Sequence, residues 1–276
     1  KYQPDRQADF AAKVVAPGTR MIRRGDGLPE VTPLKGRFED FVVGSSNRMA
    51  HAAARSVAEN PGSNYNSLFI HGGCGLGKTH LLHAICNHFK ESSPELRWRY
   101  VTGEEFTNDY IYAVRNAQMG SFNERYRGLD ALVIDDVHFL ANKKATQDGF
   151  LHTFKAIDAC GKQIVLASDA HPKLIGHFSE SLTSRFLSGM VVRIDAPDFD
   201  VRLGVLRRKA VKLKADISEA VLHHIAEHFR SNIRELEGAL LKVFALGQIT
   251  GQPVTPALVR RLQAEVLVVH ERLAQH

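Results

Sequence analysis

The 276 residues carry 36 Lys and Arg against 30 Asp and Glu, a net charge of +6, with 44% hydrophobic residues. That length suits one α/β domain plus a smaller second one, with a core that needs no staples. Three cysteines without C-x-x-C spacing, no apolar run near the roughly 18 residues of a membrane helix, and no basic-then-apolar leader argue against a secreted or membrane-spanning protein; a cytoplasmic one is expected. The mild positive balance suits a polyanionic partner without demanding one.

From Lys1 to about Pro33 the chain mixes Pro, Gly and charge without apolar periodicity, so residues 1–33 read as a linker or arm. A start at Lys1 instead of Met points to an excised or processed piece. Ser45-Ser46-Asn47 then offers caps to a helix with Met49, Ala52, Ala53 and Val57 on one face, ending near Asn60-Pro61-Gly62. Five short apolar runs follow, Ser67–His71, Arg99–Thr102, Ala131–Ile134, Gln163–Ala167 and Met190–Ile194, alternating with helical patterns. Such alternation implies a parallel sheet, with a domain spanning residues 34–197. Beyond Ala196-Pro197-Asp198 only helical patterns remain, including a stripe of Val221, Leu222, Ile225 and Phe229, so 198–276 reads as a separate helical lid that ends in a helical run, Ala264 to Gln275.

The first run leads into Gly72-Gly73-Cys74-Gly75-Leu76-Gly77-Lys78-Thr79, which fits G-x-x-x-x-G-K-[ST]. The helix behind it bears Leu81, Leu82, Ile85 and Phe89. Backbone N–H groups can converge on phosphates only where side chains do not block them, and the helix N-terminus adds positive potential. Lys78 supplies the mobile charge for the β- and γ-phosphates, and the Thr79 hydroxyl is the expected Mg²⁺ ligand.

Leu132-Val133-Ile134-Asp135-Asp136 is a buried strand ending in two carboxylates at the carboxyl edge of the sheet, where ligands of open α/β sheets sit. Asp135 is expected to hold Mg²⁺ through water and Asp136 to orient an attacking water. An Asp has a shorter arm than the Glu many such ATPases use there, which suggests slow turnover. The fourth strand ends at Asp169, which parallel topology brings alongside Asp135; a turn-forming role is the alternative reading. Arg185, ahead of the fifth strand, and Arg234, opening a lid helix behind Asn232, stand out from the other cations, although each could be a surface ion-pair residue. His224-Ile225-Ala226-Glu227-His228 matches the H-x-x-E-H pattern of one metallopeptidase class. It reads as a coincidence on a lid helix, with no third ligand evident in a chain of 14 histidines. His80 and His83 as a metal pair earn the same reading, and no G-x-S-x-G elbow or dinucleotide fingerprint is present.

From about Phe38 to about Leu262 these segments closely resemble the bacterial chromosomal replication initiator DnaA family. The strongest stretches are Phe41 to Arg48, the phosphate loop, Leu132 to Phe139, Thr146 to Phe154, Gln163 to Asp169 and Ser231 to Leu240. The resemblance implies an α/β, five-stranded parallel-sheet P-loop AAA+ domain with a smaller all-helical lid domain, and an initiator-specific two-helix insertion over residues 104–127. It implies ATP or ADP, with Mg²⁺, between the domain and the lid. Val43, Gly44 and Asn47 would lie near the adenine, Gly73, Gly75, Leu76, Gly77, Lys78, Thr79 and His80 around the phosphates, with Asp169 as sensor 1 and Arg234 as sensor 2. Arg185 matches the arginine finger that reaches a neighbour's γ-phosphate, so ATP would drive assembly into a helical filament and weak hydrolysis would switch it off.

Ile111, Lys143 and Thr146 match positions that contact single-stranded DNA in the family, with core packing and a solvated loop as the alternatives for Ile111 and Lys143. A replicative helicase or another replication protein is a further implied partner. Two departures weaken the match: Ser181 stands where a second arginine is common, and Ala145 where a basic residue is common. No helix-turn-helix pattern follows Leu262, so recognition of duplex sites is expected to lie outside these residues. A regulatory paralogue or helicase-loader-like adaptor that binds protein instead of DNA is the competing reading.

Overall fold

The computed structural model describes residues 20–21, 34–63, 65–251 and 254–260. The helical run expected over Ala264 to Gln275 and most of the expected arm lie outside them. Where the arm is described, Arg20–Met21 forms a two-residue strand, β1, which the linker reading did not foresee. Two residues are too few to show any periodicity in a sequence.

The five expected strands all form: β2 (Ser67–His71), β3 (Trp98–Thr102), β4 (Ala131–Asp135), β5 (Gln163–Ser168) and β6 (Met190–Arg193). They are parallel, and β1 adds antiparallel to the outer edge of β3, giving the order β1-β3-β4-β5-β2-β6. Helices α1 (Arg48–Glu59) and α2 (Lys78–Ser92) cover one face. The other face is covered by α3 (Gly103–Arg115), α4 (Met119–Arg127), α5 (Lys144–Asp158) and α6 (Glu180–Leu187). Sheet residues therefore alternate between two cores: Leu68 and Ile70, Ala131 and Val133, and Val165 and Ala167 face α1 and α2, while Phe69, Leu132, Ile134, Ile164 and Leu166 face the opposite set. Burial on both sides is why the strands read as unbroken apolar runs.

The stripe expected on α1 is shifted by one residue. Ala50, Ala53, Ala54, Val57 and Ala58 are buried, and Met49 is exposed. Small residues let α1 lie close to the sheet, and the larger Met49 falls on the solvent side.

The two helices expected over residues 104–127 form as α3 and α4. Thr102 caps α3 in a capping box with Glu105, its hydroxyl accepting from Glu105 N at 3.1 Å. Beneath them lies a fully buried arginine, Arg99 of β3. It donates to Asp109 of α3 at 2.9 Å and stacks over the Tyr126 ring of α4 at 4.5 Å, while the Tyr126 hydroxyl donates to the same Asp109 at 2.8 Å.

Among the described residues the lid comprises α7 (Phe199–Leu213), α8 (Glu219–His228), α9 (Ile233–Thr250) and a helical turn over 256–260. Leu206, Val221, Leu222, Ile225, Leu236 and Leu240 form its own core. Asp198 caps α7 by accepting from Val201 N at 2.9 Å, and it also accepts from the Ser45 hydroxyl at 2.7 Å, which ties the start of the lid to the loop before α1. Buried Arg202 donates to Ala226 O and Pro197 O and so binds α7 to α8.

Candidate nucleotide-binding site

β5 lies between β2 and β4, so three chain segments meet at one sheet edge: the loop after β2, Asp135 and Asp136 after β4, and Asp169 after β5. Lys78 is 6% exposed, and its Nζ donates to Asp169 Oδ1 at 2.5 Å and to the carbonyls of Gly72 and Gly73 at 2.8 and 2.9 Å. An ammonium held by two carbonyls and one carboxylate is fixed in direction without leaving the mouth of the loop. Asp169, expected alongside Asp135, contacts the loop lysine.

The Thr79 hydroxyl donates to Asp135 Oδ2 at 2.6 Å, and Asp135 is buried. Tyr100 donates to the same oxygen at 3.2 Å, and burial pushes the Tyr100 pKa far up, so it remains a donor. A hydroxyl and a carboxylate meeting beside the loop are a hard-oxygen pair, which fits Mg²⁺. Asp136 takes a left-handed backbone conformation with φ 51°. Burial first, and then the neighbouring Asp135 carboxylate, raise its pKa above the usual value.

The loop's glycines answer specific approaches. Gly75 (φ +74°) faces the lid: a Cβ there would lie 2.9 Å from Asn232 Oδ1 and 3.1 Å from Arg234 Cβ. Gly77 (φ +103°) stands against Phe41, at 3.0 Å from a built Cβ. Across this seam Ile233 N donates to Gly75 O at 3.1 Å, and Arg234 Nη1 lies 3.1 Å from Cys74 Sγ. Cys74 is an exposed thiol on the loop beside the lid arginine.

Two cavities join at Gly77, His80, Ile233 and Glu237. One, about 450 Å³, is lined by Cys74, Gly75, Lys78, Thr79, Asp136, Asp169 and Arg234. The other, about 340 Å³, runs between the sheet domain and α7, lined by Phe41, Val42, Asn47, Leu76 and Val201 and by the lid cations Arg208, Lys209 and Lys212. The first holds the loop lysine and hydroxyl that suit phosphates; the second combines apolar walls that suit a base with a rim of cations. Asn47 reaches its cavity while organising its own loop, accepting from Gly44 N and donating to Val42 O, both at 2.9 Å. Val43 and Gly44 line neither cavity. Val43 is exposed, and Gly44 permits lid contact, since a Cβ there would sit 2.2 Å from Val201 Cγ2. Gly73 also lines neither, and contributes its carbonyl to Lys78.

Several lining residues escaped the sequence reading. Phe41 and Val42 adjoin the residues expected near the base; His138 and Phe139 follow the acidic pair at once, so both had a local signal. The lid cations had none, because nothing local to α7 tells which face folds over the loop.

Arg185 lines neither cavity. It is 43% exposed on α6 and its Nη1 lies 3.5 Å from Asp158. Ile111 is exposed on α3, as are Tyr112 and Val114, which removes core packing as its explanation. Lys143 is the residue before α5 and partly exposed. Thr146 corrects the sequence reading: it lies in the first turn of α5 at 3% exposure, facing inward, and presents no surface to a strand of DNA.

A five-stranded parallel sheet with a loop lysine, an acidic pair, a carboxylate after the strand between them and a helical lid carrying an arginine defines a P-loop nucleotide-binding protein of the AAA+ class. The bacterial DnaA ATPase domain profile matches residues 34–193. The chain is 51% identical over 221 residues to the chromosomal replication initiator protein DnaA of Limosilactobacillus reuteri, covering 80% of this chain and 50% of that protein. It is 46% identical over 230 residues to that of Chloroflexus aurantiacus, covering 83% and 48%. Domain III of the Thermotoga maritima replication initiation protein DnaA superposes with a TM-score of 0.80 at 40% identity, over 85% of this chain and 98% of that one. A replication initiator DnaA bound to AMPPCP and single-stranded DNA superposes at 0.74 with 33% identity, over 84% and 69%. The chain belongs to the bacterial DnaA ATPase domain family, and it spans about half the length of the curated relatives it matches. Among the described residues no helix is long and apolar enough to cross a membrane.

Proposed function

We propose that this chain is the nucleotide-switched assembly module of a chromosomal replication initiator. The observation that carries the reading is the division of labour among its polar groups: Lys78, Thr79, Asp136 and Asp169 line one cavity, with buried Asp135 bonded to Thr79 behind it, Arg234 reaches it from the lid, and Arg185 stands outside it on an exposed face.

ATP or ADP would take the two joined cavities, the base between Phe41, Val42 and the lid and the phosphates on the loop. Thr79 and Asp135 would hold Mg²⁺, which neutralises phosphate charge. Lys78 moves from the Gly72 and Gly73 carbonyls to phosphate oxygens, and Arg234 follows the γ-phosphate as the lid closes. Asp136 orients the attacking water, and its arm, shorter than that of a Glu, suits slow turnover. Arg185 enters the cavity of a neighbouring copy, where an arginine in trans is worth about 10³–10⁵ in rate when it serves catalysis and senses the γ-phosphate when it serves assembly. The exposed Ile111 beside a base and Lys143 beside phosphate would hold single-stranded DNA along the assembly.

Analytical sedimentation with ATP, ADP and a non-hydrolysable analogue tests the reading. Larger species are expected with ATP and the analogue alone, and Arg185→Ala should keep nucleotide binding and lose assembly. Equal monomer populations under all three conditions would sink it.

A further inference from the structure

In the lid, the last two turns of α8 bring His224, Glu227 and His228 together, with one ligand atom of each within 4.8 Å of the others. None of the three lines either nucleotide cavity. We propose that this cluster is a binding site for a divalent transition ion of the zinc type, on the lid and separate from the Mg²⁺ and nucleotide site.

Tetrahedral zinc with bonds of 2.0–2.1 Å sets its ligand atoms about 3.4 Å apart, so a spread of at most 4.8 Å closes by side-chain rotation on a fixed helix. His224 and His228 stand one turn apart with ring centroids at 4.1 Å. The Nδ1 of His228 is 2.7 Å from the His224 carbonyl. Donating there fixes the tautomer and leaves Nε2 with its lone pair outward, the second-sphere arrangement typical of metal-bound imidazoles. Nε2 of His224 is buried and has no hydrogen-bond partner among the described residues, which a metal bond would supply. His228 is also the last residue of α8, where unpaired carbonyls favour a cation. Two imidazoles and one carboxylate prefer zinc to Mg²⁺ or Ca²⁺, which take oxygen ligands. The segment after His228 runs directly through Ser231 and Asn232 to Arg234, so metal here stiffens the turn that presents the lid arginine.

The sequence alone made H-x-x-E-H look like chance; the convergence of its three side chains, with one ring nitrogen left unpaired, is a property of the folded lid. No catalytic role is assigned to the ion.

Zn²⁺ titrated into the untagged, ADP-loaded chain by calorimetry, with equilibrium dialysis to count ions, tests the site. One equivalent is expected that His224→Ala/His228→Ala lacks and that exposed His152→Ala retains. Glu227→Gln should weaken it while leaving the fold intact by circular dichroism. Loss of a direct ligand should exceed the roughly 10–100-fold typical of losing an outer-sphere partner. Zinc uptake identical in the double variant and the parent, or no uptake beyond non-specific surface binding, overturns the proposal. ADP binding by the double variant distinguishes this outcome from failure of the nucleotide reading.

Discussion

Gly75 is where the lid touches the phosphate loop, and replacing it with alanine probes that contact directly. At φ +74° an alanine carries the left-handed penalty of about 1–2 kcal/mol in every state in which the loop keeps its shape. Its methyl would also lie 2.9 Å from Asn232 Oδ1 and 3.1 Å from Arg234 Cβ. Neither neighbour can give: Asn232 is held as the cap of α9, accepting from Glu235 N at 2.8 Å, and a Cβ moves only with its backbone. The lid therefore lifts, and the Ile233 N to Gly75 O bond of 3.1 Å breaks. A neutral bond of this kind is worth about 0.5–1.5 kcal/mol and a charged one from Arg234 to phosphate about 1.5–3. Losing both costs ATP about 2–4.5 kcal/mol, roughly 30- to 1,600-fold in Kd. Calorimetric titration of Gly75→Ala and Arg234→Ala reads the two parts, the second variant losing only the arginine's share. Parent-like ATP affinity in Gly75→Ala, with the protein folded, would refute the seam as described.

The ion pair beneath α3 and α4 is asymmetric, Arg99 buried and Asp109 partly exposed, and its two truncations should differ in urea denaturation. Asp109→Ala strands the fully buried Arg99 and should cost about 3–5 kcal/mol; Arg99→Met leaves Asp109 partly solvated and still bonded to Tyr126, and should cost under about 2 kcal/mol, mostly the lost cation–π contact. Equal costs would contradict that account. Asp136→Asn keeps a residue that tolerates the left-handed conformation and should retain ATP while losing hydrolysis in a phosphate-release assay. Because the folded pKa of Asp136 is raised above its unfolded value, the folded state holds the extra proton, and this group's contribution favours folding at low pH and is lost as pH rises through the interval above about 3.8. Asp136→Asn should accordingly melt higher than the parent near neutral pH, with the gap closing in acid. Thr79→Val removes the hydroxyl that meets Asp135 and should make ATP affinity nearly insensitive to added Mg²⁺, measured by titration with and without chelator.

The contrast between Ile111 and Thr146 shows where sequence reading ran out. Both matched positions of DNA contact, and both lie in amphipathic helices. Only packing reveals that α3 turns Ile111 outward while α5 turns Thr146 into the sheet domain. The same holds at the first helix, where a one-residue rotation buries Ala50 and Ala54 and exposes Met49. A helical period identifies a face only to within a residue, and which face turns inward depends on what it meets. β1 went unseen because a two-residue edge strand owes its existence to the neighbouring backbone of β3.

What the sequence determined by itself was everything built from consecutive residues. The phosphate loop is one short run whose glycines and lysine state their chemistry locally, and strands buried on both faces announce themselves as unbroken apolar runs ending in the carboxylates. What only the tertiary structure decided was which distant groups meet: Lys78 with Asp169 across 91 residues, Thr79 with Asp135 across 56, and Cys74 with Arg234 across 160. Strand order and lid closure set those meetings, and both result from burying apolar faces against each other, a collective balance over the whole core that no single segment encodes.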